Sequence, residues 1–204
     1  MLEIRWHARG GQGAKTASHV LALAALGEGF FVQAFPEYGP ERSGAPMRVF
    51  NRVDARKIRL HHGIEEPDVV AVVDDSLLYS EGVELTEGLK EEGVLLVNGR
   101  LSPEEVRRQT GFAGKIVVVD ASGIAKETGC RFANVPMLGA IARIVGLPLE
   151  AVKRELAAEL GKKLPEEALR ANLRALEEGY AAADSRYEGE PLLKGVHAKA
   201  EARA

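Results

Sequence analysis

The sequence predicts an α/β fold built on a mixed sheet, and three features indicate it. An apolar segment at residues 2–7 leads through a glycine turn into a helical pattern rich in small residues at 14–26. Later apolar runs of strand length alternate with a helical segment, as they do in sheets with crossover helices. Residues 47–53 alternate apolar and polar side chains, which is typical of a half-exposed strand. The glycine turn consists of Gly10, Gly11, Gln12 and Gly13.

The remaining strands are predicted from short apolar runs. Residues 30–35 form the second strand. Residues 57–60 are a candidate hairpin partner for 47–53, and that antiparallel pair would make the sheet mixed. Central strands buried on both faces are expected at residues 68–73, 94–97 and 116–119.

Helices are predicted from capping signals and from helical spacing. Ser102 and Glu105 form a capping box with Pro103 at the first helical position. The last third of the chain has helical patterns at residues 136–145, 149–160 and 165–182. An apolar stripe on the last of these is expected to pack on the protein's own core; it consists of Leu169, Leu173, Leu176 and Tyr180. We expect one domain over residues 1–183 and a C-terminal arm or flexible tail over 184–204.

Composition excludes several classes of function. A net charge of -3 over 204 residues leaves no basic footprint for nucleic acid. No apolar run approaches the length of a membrane span, and no basic-then-apolar leader begins the chain, so a cytoplasmic protein is expected. The single Cys130 excludes an internal disulfide and a cysteine-rich metal or iron–sulfur site within this chain.

The glycine turn is the strongest functional signal. Glycines let a backbone turn sharply after a strand and present N–H groups to an anion at a helix N-terminus. The turn does not match the dinucleotide fingerprint, since Thr16 occupies the third glycine position, and its spacing to Lys15 does not match a Walker A loop. A tight turn without a ligand remains equally open at this point. Arg9 and Lys15 flank the turn and would add charge to a phosphate site.

Other polar residues follow the predicted strands, where open α/β sheets bind ligands. The loop at residues 36–46 contains Tyr38, Glu41, Arg42 and Ser43, and Asn98 ends a later strand. Asp74 and Asp75 favour a helix cap over an acid pair, because adjacent residues of a strand point to opposite faces. His7 is expected to be structural, no metal site is expected, and no catalytic residue is assigned.

Four segments together carry a family resemblance. They are the glycine turn, the Tyr-Gly-Pro-Glu-Arg-Ser-Gly sequence at 38–44, Pro-Asp-Val-Val at 67–70 and Asn-Val-Pro-Met-Leu-Gly-Ala at 134–140. Over residues 1–183 the chain resembles the gamma subunit, or gamma domain, of the 2-oxoacid:ferredoxin oxidoreductases, such as pyruvate:ferredoxin oxidoreductase. The resemblance implies a three-layer α/β/α sandwich with a mixed, mostly parallel sheet and a Rossmann-like first β-turn-α unit.

The resemblance also implies a role in a larger enzyme. Such enzymes oxidatively decarboxylate a 2-oxoacid with coenzyme A to an acyl-CoA and reduce ferredoxin. Thiamine diphosphate and iron–sulfur clusters are expected on alpha, beta and delta-type partner subunits, so this chain is not expected to be active alone. The residues expected to engage coenzyme A are Gly10, Gly11, Gln12, Gly13, Lys15, Tyr38, Glu41, Arg42, Ser43 and Asn98.

Three alternatives remain at this stage. The first is a related group of enzymes that acts on indolepyruvate or other aryl 2-oxoacids. The family often has a second arginine where this chain has Ser43, so the charge of that loop differs from the usual pattern. In a purely structural subunit, the glycine turn and residues 38–44 would be interface elements. A free-standing nucleotide-binding protein is disfavoured by the missing third glycine.

Overall fold

The computed structural model describes residues 1–37 and 44–201, and for residues 197–201 it describes the backbone alone. Within these residues, one sheet contains six strands: β1 (Leu2–Arg9), β2 (Phe31–Glu37), β3 (Pro46–Asp54), β4 (Val69–Val72), β5 (Val94–Asn98) and β6 (Lys115–Val119). Their order across the sheet is β2-β3-β1-β4-β5-β6. Strands β1, β4, β5 and β6 are parallel, whereas β3 is antiparallel to both of its neighbours. The sheet is therefore mixed and mostly parallel, as predicted.

The partners predicted for β3 were wrong. Residues 57–60 form no strand; they lie beside the sheet, where Gln33 Nε2 donates a hydrogen bond to the Leu60 carbonyl at 2.8 Å. The expected half-exposure was wrong as well, because residues 49–53 are all buried and Arg52 is 0% exposed. A strand buried on both faces lies inside the sheet, and β1 and β2 supply its two neighbours.

Helices cover both faces of the sheet. The described helices are α1 (Ala14–Gly27), α2 (Pro103–Thr110), α3 (Ala121–Thr128), α4 (Asn134–Val145), α5 (Leu149–Leu160), α6 (Glu166–Asp184) and α7 (Leu192–Glu201), with a 3-10 helix at Asp75–Tyr79. One core joins the sheet to α1 and to α3 through α7. A smaller core joins the opposite face to α2 and the 3-10 helix. These are the three layers that the resemblance implied. No described helix is both long and apolar enough to cross a bilayer.

Helices α4 and α6 cross at unusually short range because glycines lie at the contact. A Cβ on Gly139 would lie 2.1 Å from the Leu176 carbonyl oxygen, and one on Gly179 would lie 2.0 Å from the Pro136 carbonyl oxygen. The predicted stripe on α6 packs here, with Leu176 fully buried in the main core.

The C-terminal segment differs from the predicted arm or tail. Tyr187, Leu193 and Val196 are buried in the main core, the last two on α7. Apolar residues that look isolated in the sequence share one helix face, which explains why a polar segment still packs.

Candidate functional site

The glycine turn lies at the carboxyl end of β1 and is held to the start of β3. The N–H of Gly10 donates to the Ala45 carbonyl at 2.9 Å, and the N–H of Gly44 donates to the Gly10 carbonyl at 3.1 Å. Gly11 and Gly13 have φ values of 94° and 80°, in the left-handed region that favours glycine. The glycines are therefore required by the backbone itself.

Gln12 braces the turn from within. Its Oε1 accepts a hydrogen bond from the N–H of Arg9 at 2.8 Å, and its Nε2 donates to Asp74 after β4. These two bonds connect the ends of β1 and β4, which are parallel neighbours in the sheet. Gln12 thus sets the shape of the predicted anion site.

Helix α1 begins at the turn, and its positive end has no side-chain cap among the described residues. Gly13 is its N-cap residue. The carbonyl of Gly13 accepts a hydrogen bond from Asn134 Nδ2 at 3.0 Å, and a Cβ on Gly13 would lie 2.6 Å from that nitrogen. Lys15 is exposed on the first turn. Backbone N–H groups of a first helical turn have no partner within the helix, so this end attracts an anion.

Asp74 organises the neighbouring strand end and caps the 3-10 helix, as predicted. Its Oδ1 accepts from the N–H of Ser76 at 3.0 Å, and Arg9 Nε lies 3.6 Å from Oδ2. Burial alone would raise the pKa of Asp74, but hydrogen bonds from Ser76 and Gln12 and the charge of Arg9 outweigh it and lower the pKa. The Arg9 guanidinium also donates to Ser76 and Ser80, so this predicted phosphate contact is largely engaged within the protein.

Asn98 lies beside the turn, and its amide is used within the protein. Its Nδ2 donates to the Val73 carbonyl at 2.8 Å and to Ser122 Oγ at 2.9 Å, and its Oδ1 accepts from the N–H of Ser122 at 3.0 Å. Both amide hydrogens are thereby satisfied. In the structure Asn98 joins β4, β5 and α3 behind the candidate site.

A cavity of about 210 Å³ adjoins the turn and is bordered by Gln12, Asp74, Asn98, Arg131 and Phe132. Sequence reasoning did not single out Arg131 and Phe132. The Arg131 guanidinium lies 4.8 Å from the centroid of the Phe132 ring, which is 38% exposed. An exposed aromatic with a neighbouring cation offers a flat surface to a planar ligand. The signal available in the sequence was their position just before the 134–140 segment.

Four predicted residues, Tyr38, Glu41, Arg42 and Ser43, lie outside the described residues and stay predictions. Among the side chains that the structure describes, those of residues 1–37 and 44–196, no group of three or more His, Cys, Asp or Glu is arranged to hold a metal ion. Cys130 is buried, and its thiol donates to Asn172 Oδ1 at 3.3 Å. Burial raises the pKa of this thiol, so it is poorly suited to act as a nucleophile.

The family model described as pyruvate ferredoxin/flavodoxin oxidoreductase matches residues 3–182. The chain belongs to this family. The pyruvate synthase subunit PorC of Thermotoga maritima is 54% identical over 180 residues, 87% of this chain and 92% of that relative. The pyruvate/ketoisovalerate oxidoreductases common subunit gamma of Thermococcus kodakarensis is 46% identical over 187 residues, 88% of this chain and 96% of that relative. The predicted family resemblance is confirmed.

Two solved structures share the fold of this chain. A crystal structure of the pyruvate oxidoreductase subunit PORC from Thermotoga maritima has a TM-score of 0.76 at 50% identity, over 88% of this chain and 95% of that one. A 2-oxoglutarate:ferredoxin oxidoreductase from Magnetococcus marinus, solved with 2-oxoglutarate, coenzyme A and succinyl-CoA bound, has a TM-score of 0.77 at 23% identity. The match to the latter spans 93% of this chain and 32% of the other, and it shows the fold alone.

Proposed function

We propose that this chain is the gamma subunit of a multi-subunit pyruvate:ferredoxin oxidoreductase, which converts pyruvate and coenzyme A to an acyl-CoA while reducing ferredoxin. The 54% identity to a pyruvate synthase subunit over 92% of its length carries this proposal. The relatives are named for pyruvate and ketoisovalerate, which favours an aliphatic 2-oxoacid over the aryl alternative. One cysteine cannot supply the ligands of an iron–sulfur cluster, which supports placing the clusters on partner subunits. The same proposal places thiamine diphosphate on those alpha, beta and delta-type partners and the whole enzyme in the cytoplasm.

Co-purification and activity test this assignment. A tagged chain is expected to bring down the other subunits of its own organism's enzyme, and the complex is expected to reduce ferredoxin with pyruvate and coenzyme A. A chain that purifies alone from cells making those subunits would contradict the assignment.

Within that enzyme, the glycine turn engages the diphosphate of coenzyme A. The uncapped N-terminus of α1 supplies backbone N–H groups, and exposed Lys15 supplies charge. The ring of Phe132, with Arg131 beside it, offers a stacking surface for the adenine next to this anion site. A shared fold with an oxidoreductase solved with coenzyme A bound supports this proposal.

Lys15→Glu in the assembled enzyme tests the anion site. Substituting Gly13 is a poorer test, because a Cβ there collides with Asn134 and disturbs folding. Losing one cation–phosphate contact and adding a repulsive charge raises the KM for coenzyme A roughly fivefold or more, and leaves the KM for pyruvate unchanged. Lys57→Glu is the charge-matched control, since Lys57 is exposed just beyond the end of β3, at the opposite edge of the sheet.

Two outcomes would contradict the site. If Lys15→Glu leaves the KM for coenzyme A unchanged and the complex still assembles, the proposed phosphate contact is refuted. Loss of assembly, with normal affinity in the complex that remains, would favour an interface role for the glycine turn.

A further inference from the structure

A second, larger cavity lies over the face of β1 opposite α1. Its volume is about 700 Å³, and its polar lining includes His7, Glu37 and Arg48 from the sheet and Glu81, Glu84 and Glu87 from the segment after the 3-10 helix. Arg48 lies directly opposite both His7 and Glu37 in the strand register. Side chains at directly opposite positions share one face, so these three form a row across β1, β3 and β2.

His7 presents a buried donor to this cavity. The residue is 4% exposed, and its Nε2 lies 3.1 Å from Nε of Arg5. A guanidinium has only donors, so Nε2 of His7 holds the lone pair and Nδ1 holds the hydrogen. Burial, together with the charges of Arg5 and Arg48, lowers the pKa of His7 to about 3, which keeps the ring neutral. Among the described residues, none accepts a hydrogen bond from Nδ1.

The rim of the cavity has the opposite character. Glu81, Glu84 and Glu87 are exposed, and no described cation lies within 4.0 Å of their carboxylates. Glu37 pairs with Arg48 at 2.5 Å, so the positive charge of the Arg48 guanidinium is balanced within the row of sheet residues. The mouth is therefore negative, and it attracts cations while it repels small anions.

These two features together restrict the ligand. A metal ion or a simple amine would satisfy the carboxylates but has no acceptor for His7 Nδ1–H. A carboxylate or phosphate would accept from His7 but would face the acidic rim. A polypeptide segment carries backbone carbonyls and cationic side chains at once, and a cavity of this volume holds more than one residue.

We propose that this cavity seats a basic segment of another subunit of the oxidoreductase. Its Lys or Arg side chains pair with Glu81, Glu84 and Glu87, and one of its backbone carbonyls accepts from His7. The rim charges guide the approach, and the buried hydrogen bond sets the register. This proposal rests on the subunit assignment made above.

Charge reversal in the co-expressed complex tests the proposal. The double variant Glu84→Lys/Glu87→Lys is expected to reduce co-purified partner at least tenfold, and the wild-type complex is expected to weaken with added salt. Glu178→Lys on α6 is the control, because Glu178 is exposed on the other side of the sheet and no described cation pairs with it. All three glutamates are exposed, so the variants are expected to fold normally.

Hydrogen exchange of the wild-type chain provides the second measurement. Backbone amides of residues 81–87 are expected to exchange at least tenfold more slowly in the complex than in the free chain. Normal assembly of the double variant would overturn the proposal, and so would lost assembly without protection of 81–87, which would place the contact elsewhere. If the wild-type chain does not co-purify with any partner, the subunit assignment fails and this proposal fails with it.

Discussion

The crossing of α4 and α6 makes a sharp prediction about Gly179. Replacing Gly179 by alanine places a Cβ 2.0 Å from the carbonyl oxygen of Pro136 and 2.6 Å from its Cα. Both neighbours are backbone atoms, so no side-chain rotation relieves the collision. The distance from the new Cβ to the Pro136 carbonyl oxygen must grow from 2.0 Å to at least the 3.4 Å of normal contact. The two helices must therefore move apart by roughly 1.4 Å in a closely packed interior.

The loss in the free energy of unfolding comes from the packing that this shift of the helices disturbs. Met137, Leu138 and Ile141 of α4 are 0% exposed and would lose close contacts along the crossing. Overpacking of a core costs about 1–3 kcal/mol and sometimes more, and alanine recovers about 1 kcal/mol of helix propensity. Because the contact is backbone against backbone, we expect the upper end of this cost, and after the gain in helix propensity a net loss of about 2 kcal/mol in the free energy of unfolding. That corresponds to a fall in Tm of about 4–8 °C for a chain of this size.

Urea and thermal unfolding followed by circular dichroism measure this effect. The matched control is Gly195→Ala on α7, where a Cβ meets nothing within 4 Å and where we expect a gain of up to about 1 kcal/mol. The reasoning is refuted if Gly179→Ala unfolds within about 0.5 kcal/mol of the wild type, or is stabilised like the control.

Two further predictions concern local electrostatics and capping. The unfolded chain protonates His7 near pH 6.5, whereas the folded chain does so only near pH 3, so stability falls as pH decreases; between pH 8 and pH 5 the loss is about 2 kcal/mol. His7→Gln keeps an acceptor for Arg5 and removes this titration. If urea unfolding of the variant and of the wild type depends equally on pH, the assignment of this pH dependence to His7 is wrong. Ser102→Ala removes the hydroxyl that accepts from the N–H of Glu105 at 3.3 Å and is expected to cost about 1 kcal/mol, read from the urea midpoint. Ser185→Ala, at the end of α6 where no N-cap is involved, is its control, and equal midpoints for the two variants would refute the capping role.

Strands and helices were predictable where their signal is local. The buried runs that became β4, β5 and β6 and the capping box of α2 depend on residues within a few positions of each other. The partners of β3 were not predictable in this way, because its alternating charges suggested a solvent-exposed face. Arg52 is nevertheless buried, since Glu3 Oε1 and the Gly63 carbonyl accept hydrogen bonds from its guanidinium. Those partners come from other parts of the chain.

The candidate site shows the same division. The family segments and the turn at Gly10–Gly13 could be recognised from residue types alone, because a left-handed backbone selects glycine wherever it occurs. The roles of individual side chains could not. Gln12 holds the turn in place by donating a hydrogen bond to Asp74, which lies 62 positions away in the chain. Asn98 donates both of its amide hydrogens within the protein, one at the end of β4 and one to α3.

The sequence by itself determined the α/β class, most elements, the glycine turn and the family of this protein. Periodicity, capping and glycine conformation are properties of neighbouring residues, and they survive without any tertiary contact. Only the tertiary structure decided that no described side chain caps the N-terminus of α1, that His7 is a neutral donor in an acidic cavity and that α4 and α6 touch at glycines. Burial and hydrogen-bond partners fix those properties, and both arise when residues distant in the chain are brought together.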